Sequence, residues 1–279
     1  MDNTPVIEWQ KLVEKHLISP DLTKNTAYRA AVVSKDEDIC IMINEEDHLR
    51  LQAITAGIDL KSVLDRANRL DDIFAEEFEY GYSDKLGYLT ACPTNVGSGM
   101  RASVMLHLPL LTESGYISQL ASAAGRMGIA VRGMYGEGSK AEGGIYQVSN
   151  QITLGISEEE IIKRIKDFIH SLVSKEEEVR NQVYSNNPLS LEDKVWRAYG
   201  ILSTARMLTS KELLGLVSKV RIGADMGIIK TDKAKLNELL VTTAPAHIAS
   251  ICDGEAAADV RDVKRAEYVR REVKINDVQ

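Results

Sequence analysis

The chain has 279 residues, enough for one large domain or two of modest size, each with its own hydrophobic core. Apolar residues make up 44% and charged residues 27%, and no run approaches the roughly 20 apolar residues of a membrane span, which excludes a helical membrane protein and implies a soluble globular one. The net charge of −7 argues against direct nucleic-acid binding, which relies on Lys and Arg neutralising phosphates.

In chain order, YRAAVVSKDEDICIMI reads as two β-rich runs around a polar turn at Lys35 to Asp38, a hairpin pattern. In NEEDHLRLQAITAG the period changes. Asn44 is placed to cap a helix whose first turn carries Glu45, Glu46 and Asp47, where the helix dipole favours negative charge, and Gly57 ends it. Over 58–80, Leu60, Val63, Leu64, Ala67, Leu70, Ile73, Phe74 and Phe78 recur at three and four, which predicts an amphipathic helix. GYLTACP, RASVMLHLP, GIAVRGMYG and GIYQVSNQITL read as strands, with a helix between residues 112 and 127. Ser157 and Glu160 form a capping box that opens a long helix to about Val183. Beyond SNNPLS only helices are predicted, over roughly 190–207, 210–219, 232–241 and 259–273. Strands with intervening helices indicate an α/β or α+β sheet domain, with an expected boundary near residue 186 that divides the chain into 1–185 and 186–279.

Cys40, Cys92 and Cys252 are odd in number and widely separated, which fits a reducing cytoplasm better than a disulfide framework, and no zinc-type spacing or other metal site is predicted. The N-terminus shows no charged-then-apolar leader. Chemistry is concentrated around CPTNVGSGMRASVMLHLP, residues 92–109. Pro93 drives Cys92 into extended backbone, and nearby cations would favour its thiolate; alone, it reads as an inert buried thiol. Arg50, Arg101 and Arg132 each sit beside glycine, at a turn or at an element end. Singly they read as surface or ion-pairing arginines; converging, their guanidinium forks would hold a polyphosphate, and no Walker-type loop is present to do so. Glu45, Glu46 and Glu137 offer carboxylates that could grip a cationic substrate and orient one of its nitrogens, or could merely complement a helix dipole and decorate a loop.

LVEKHL, NEEDHLR, CPTNVGSGMRASV and VRGMYGEG, in the family's order and with its spacing across residues 11 to about 180, together resemble the ATP:guanido phosphotransferase family, the group containing arginine and creatine kinases. The resemblance implies an α+β fold, an antiparallel sheet flanked by helices with an all-helical domain after it, with ATP as phosphoryl donor and Mg²⁺ held mainly by the nucleotide phosphates. It implies that His16 lies at the adenine and that Arg50, Arg101 and Arg132 hold the phosphates. Glu46 and Glu137 would grip the acceptor guanidinium, with Cys92 beside it. Glu46 is the expected base, with Glu45 next to it. A guanidinium has a pKa above about 12, so it must be oriented and must lose a proton before it can attack.

Within the family, LVEKHLISPDL, RASVMLHLP with Met105, the all-helical tail and RDVKRA resemble the bacterial branch that phosphorylates arginines in proteins. That branch implies arginine-bearing protein substrates marked for regulated proteolysis in the stress response. It also implies a homodimer and partners such as an unfoldase-protease complex, a zinc-containing activator and a heat-shock repressor. RDVKRA matches its phosphoarginine-binding motif. Arg261 and Arg265, four apart on a helix, would fork a phosphoryl group, with Asp262 available to a guanidinium; spacing alone also fits a salt-bridged solvated helix. The family's pattern has a further N-terminal segment with a Ser-Arg-x-Arg stretch, which residues 1–15 do not contain. Each phosphate contact so lost would cost on the order of 3 kcal/mol in the transition state. Two alternatives therefore stand beside the protein kinase: a non-catalytic binder of phosphoarginine or nucleotide acting as a regulator, and a kinase for free arginine or another small guanidine.

Overall fold

The computed structural model describes residues 4–134, 141–252 and 257–273. The chain opens with helix α1 (Val6–Glu14) and a 3₁₀ turn at Pro20–Thr23, followed by β1 (Ala30–Val33), β2 (Ile39–Ile43) and β3 (Leu49–Ala53). Helix α2 (Leu60–Glu77), the short strands β4 (Tyr82–Ser83) and β5 (Gly87–Tyr88) and a 3₁₀ turn at Pro93–Asn95 lead to β6 (Ser103–His107). Then come α3 (Pro109–Glu113), α4 (Tyr116–Arg126), β7 (Ile129–Gly133) and β8 (Ile145–Asn150). The remainder is helical: α5 (Glu158–Asn186), α6 (Pro188–Thr204), α7 (Ser210–Asp225), α8 (Lys233–Thr242), α9 (Pro245–Ser250) and α10 (Ala258–Glu272).

Two compact units interleave along the chain. The first is Met1–Val104, Ala124–Ala130 and Val148–Ile169; the second is Met105–Ala123, Val131–Gln147 and His170–Gln279. In the first, β1, β2 and β3 form an antiparallel meander, with Val33 opposite Cys40 and Met42 opposite Arg50. Its inner face packs Cys40 and Met42 against Trp9, Ile18 and Leu22, a small core under α1 and the following turn. A second three-stranded sheet runs in the order β6-β8-β7. The second unit is centred on Val195, Leu202, Leu213, Val217, Val220, Leu236 and Val269, contributed by α6, α7, α8 and α10.

Where capping signals are local, the predicted helices form. The Ser157 hydroxyl accepts from the Glu160 amide at 3.2 Å and starts α5, with Glu158, Glu159 and Glu160 in its first turn. Asn187 and Pro188 restart the chain as α6 one residue after α5 ends, the Asn187 side chain accepting from Ser190 at 3.1 Å. The predicted helix over 112–127 is two helices, divided at Ser114–Gly115.

The helix predicted from Asn44 does not form. Residues 44–48 are instead the loop of the β2–β3 hairpin, and Leu49–Ala53 is a strand. Asn44 takes the left-handed conformation at φ 56°, donates its amide to the His48 carbonyl at 3.0 Å and its side-chain nitrogen to Tyr28 at 2.7 Å. Asparagine tolerates that conformation, and pairing LRLQA with ICIMI over five residues outweighs the local cap. GYLTACP is mostly loop, with only Gly87 and Tyr88 in a strand.

Candidate active site

The hairpin loop 44–48 in the first unit carries the acidic pair, and its two carboxylates have different surroundings. Glu45 is turned inward with its side chain only 6% exposed. It accepts from the Ser19 hydroxyl at 2.5 Å, the Glu46 amide at 3.2 Å and Arg50 at 3.4 Å. Gln52, two residues beyond Arg50 on β3, donates to the carbonyls of His16 at 2.7 Å and Leu17 at 3.2 Å. The His16–Ser19 segment, Glu45 and Arg50 are thereby fastened to one strand and one loop. Burial lowers the pKa of His16, so its imidazole is neutral at pH 7.

Glu46 is exposed and faces a different neighbour. Its carboxylate accepts from the Asn95 side chain at 3.3 Å, and Asp47 accepts from the Ala91 amide at 2.5 Å. These bonds place the 90–95 segment, and with it Cys92, against the acidic loop. The Cys92 sulfur lies 3.0 Å from the Thr94 hydroxyl, in the bend that Pro93 begins. The bend is held from behind by Thr153, whose hydroxyl donates to the carbonyls of Thr94 at 3.0 Å and Val96 at 2.8 Å. Gly97, at φ 115°, passes so close to the Thr153 carbonyl that a Cβ would collide with it. Asn150 then clamps both neighbours of Arg101, accepting from the Ala102 amide at 2.8 Å and donating to the Met100 carbonyl at 3.0 Å. The Arg101 side chain is exposed at the entrance to β6.

The structure thus gathers His16, Glu45 and Arg50 on one side of the 44–48 loop and Glu46 and Cys92 on the other, and fixes the backbone around Arg101 in the same unit. Arg132 is on β7 in the second unit, and Glu137 lies outside the described residues. Sequence reasoning did not single out Ser19, Gln52, Asn95, Asp47, Asn150 or Thr153 as supports of this site. Ser19 before Pro20 is a visible cap, but nothing local marks Gln52 or Asn150.

In the tail, Arg261, Asp262 and Arg265 lie on α10. Arg265 is 2% exposed and is largely engaged: Nε donates to the Thr243 carbonyl at 2.9 Å, and Nη1 donates to the Leu208 carbonyl at 2.8 Å and to Asp262 at 2.5 Å. It braces the helical unit, while Arg261 is half-buried one turn earlier.

The model of the ATP:guanido phosphotransferase C-terminal catalytic domain matches residues 1–179, and that of the protein-arginine kinase McsB C-terminal domain matches residues 188–279. The chain belongs to the ATP:guanido phosphotransferase family. Among curated relatives of this guanido phosphotransferase, the protein-arginine kinase of Caldanaerobacter subterraneus subsp. tengcongensis is 48% identical over 263 residues, 94% of this chain and 78% of that one. Those of Geobacillus sp. and Bacillus licheniformis are 45% and 43% identical over 278 residues, covering 99% of this chain and 77% and 76% of theirs. A crystal structure of lombricine kinase superposes with a TM-score of 0.55 at 26% identity, over 63% of this chain and 52% of that one. A duplicated taurocyamine kinase from Schistosoma mansoni shares the fold, with a TM-score of 0.56 at 24% identity over 77% and 31%.

Proposed function

We infer that this guanido phosphotransferase is a protein-arginine kinase, transferring the γ-phosphoryl group of ATP to arginine guanidinium groups in proteins. Its similarity to protein-arginine kinases runs through the helical tail as well as the sheet-bearing part, which supports a protein substrate over a free guanidine and an enzyme over a non-catalytic binder. The two family models meet between residues 179 and 188, and on that basis we divide the chain functionally into a catalytic part, 1–185, and a phosphoarginine-binding part, 186–279.

The observation that carries the mechanism is the 44–48 loop, which holds Arg50 through Glu45 and presents Glu46 beside the Cys92 bend. Glu46 orients the acceptor guanidinium and takes the proton from its attacking nitrogen, and Glu137 supports the same grip. The new N–P bond forms as the bond from the γ-phosphorus to the bridging oxygen breaks, and ADP leaves. Arg50, Arg101 and Arg132 neutralise phosphate charge, His16 flanks the adenine, and Cys92 lies against the guanidinium. Mg²⁺ supplies further charge neutralisation from the nucleotide phosphates; among the described residues no group of three His, Cys, Asp or Glu is set to hold it.

In the tail, Arg261, Asp262 and Arg265 recognise phosphoarginine, Arg265 also bracing α10 on the Thr243 and Leu208 carbonyls. The product mark would direct proteins to an unfoldase-protease complex during stress, with a zinc-containing activator and a heat-shock repressor as further partners of a cytoplasmic homodimer. Among the described residues no helix is long and apolar enough to cross a membrane. The test is incubation with ATP, Mg²⁺ and an arginine-rich protein, or free arginine, followed by phosphorus NMR. A phosphoramidate signal that requires the protein acceptor is expected; a signal with free arginine alone would overturn the substrate assignment, and none with either would leave a binder.

A further inference from the structure

The β4–β5 hairpin of the first unit leads directly into the Cys92 bend and carries large apolar side chains in solvent: Tyr82 is 58% exposed, Leu86 42% and Leu89 52%. The hairpin itself is firmly held. Tyr82 pairs with Tyr88 across the two strands, their rings 5.4 Å apart edge to face, and Tyr80 adds a third ring 5.9 Å from Tyr88. The Tyr80 hydroxyl donates to Asp71 on α2 at 3.0 Å, and Tyr88 exchanges backbone hydrogen bonds with Gly97 at 2.9 and 3.3 Å. Gly87 lies so close to Gly97 that a Cβ would strike its carbonyl. The exposed apolar groups are therefore presented on a fixed backbone, as a preorganised contact surface requires.

From Leu89 onward, exposure alternates towards the acceptor side. Leu89, Ala91 and Pro93 are exposed, whereas Thr90 and Cys92 are half-buried, with the Thr90 hydroxyl donating to the Cys92 carbonyl at 2.8 Å. The strip is tied to the acidic loop through the Ala91 amide, which Asp47 accepts, and through Asn95, which donates to Glu46. Across from Leu89 stands Gly81, whose carbonyl accepts from the Leu89 amide at 2.8 Å. Having no side chain, Gly81 leaves the leucine uncovered; a Cβ there would begin 3.7 Å from the Leu89 Cβ, an ordinary contact. Three residues span at most about 11 Å, so Leu89 is close to any chain whose guanidinium sits against the Cys92 bend. An arginine within a protein brings its neighbours to that place, and a side-chain period of two suits an extended segment lying along the strip.

We propose that Leu89, Ala91 and Pro93 form the subsite for the polypeptide beside the acceptor arginine, with Leu89 as its specificity-determining residue, so that arginines flanked by a large apolar side chain are selected. The proposal rests on the protein-arginine kinase reading. Two peptides identical except for the residues on either side of a single arginine, leucine in one and serine in the other, test it with the whole chain; binding is read by fluorescence anisotropy and transfer from ATP by kcat and KM. The leucine peptide is expected to bind more tightly and to be phosphorylated with a kcat/KM about tenfold higher, the gain lying in KM. Leu89→Ser removes the contact and Gly81→Val covers it from the opposite strand, and each should bring the leucine-to-serine ratio close to one. A general loss of folding or of phosphoryl transfer lowers both peptides alike, so the ratio isolates the subsite. Preferential binding of the leucine peptide without transfer would support the subsite while refuting the kinase reading. Equal kcat/KM for the two peptides, or a preference that survives both variants, would overturn the subsite and leave the kinase reading standing.

Discussion

Cys92 and Cys40 show how far burial separates two side chains of the same type. Cys40 is 1% exposed in the core of the first unit, and burial raises its thiol to about 11 despite the opposing pull of Arg50. Cys92 is partly exposed in the bend beside Glu46. Iodoacetamide at pH 8 is therefore expected to label Cys92 and spare Cys40, as read by peptide mass spectrometry; rapid labelling of Cys40 in the folded protein would contradict the packing. His107 makes a second prediction. Burial, reinforced by Arg221 and Arg180 and opposed by Asp225, lowers its pKa to about 3. The unfolded chain binds a proton below its ordinary value of 6.5, whereas the folded protein does not until far lower. This group adds no pH dependence above 6.5, and stability is lost as pH falls from there towards 3, by up to about 1.4 kcal/mol per pH unit. Urea melts between pH 7 and pH 4.5 should show a shallower acid limb for His107→Gln than for the parent. Parallel limbs would remove His107 from the account. The residue types at the candidate site were readable from the sequence, but their division of labour was not. Glu45 and Glu46 are adjacent and chemically identical, and only the fold makes one a buried brace for Arg50 and the other an exposed carboxylate.

Among the elements, those specified by local signals matched expectation. The Ser157 capping box and the three-and-four apolar spacing of α2 each act within a few residues, so the sequence displays them directly; the Asp59 and Asn187 caps that start α2 and α6 are equally local. The 44–53 segment was misread because its deciding contacts are remote. Asp47 bonds Ala91 across 44 residues and Glu46 bonds Asn95 across 49, while β3 needs β2 to exist at all. Helix α10 repeats the lesson. RDVKRA displays its i,i+4 arginines, yet nothing local announces that Arg265 is buried against the Thr243 and Leu208 carbonyls. Arg265→Ala would strand both carbonyls and Asp262, and is expected to destabilise the protein by about 2–4 kcal/mol. Arg261→Ala should instead abolish phosphoarginine binding at the α10 motif with little change in thermal midpoint. If the two variants melt alike, the buried brace is not what the contacts indicate.

At the scale of the molecule, a mixed helix-and-sheet part followed by helices alone was evident from the change in periodicity after SNNPLS, while the antiparallel α+β class came with the family resemblance. The interleaving of the two compact units was not, because it depends on which strands and helices pack together rather than on any linker composition. The proposed activity rests on the 44–48 loop, which holds Arg50 through Glu45 and sets Glu46 beside the Cys92 bend, joining a nucleotide side to an acceptor side. The direct measurement is the single-turnover rate of phosphoarginine formation on a protein acceptor for Glu46→Gln, made alongside ATP binding. A rate reduced by about a hundredfold or more with ATP affinity and thermal midpoint unchanged is predicted. A variant that phosphorylates arginine at the parental rate would contradict the assignment of Glu46 and, with it, the acceptor half of the site.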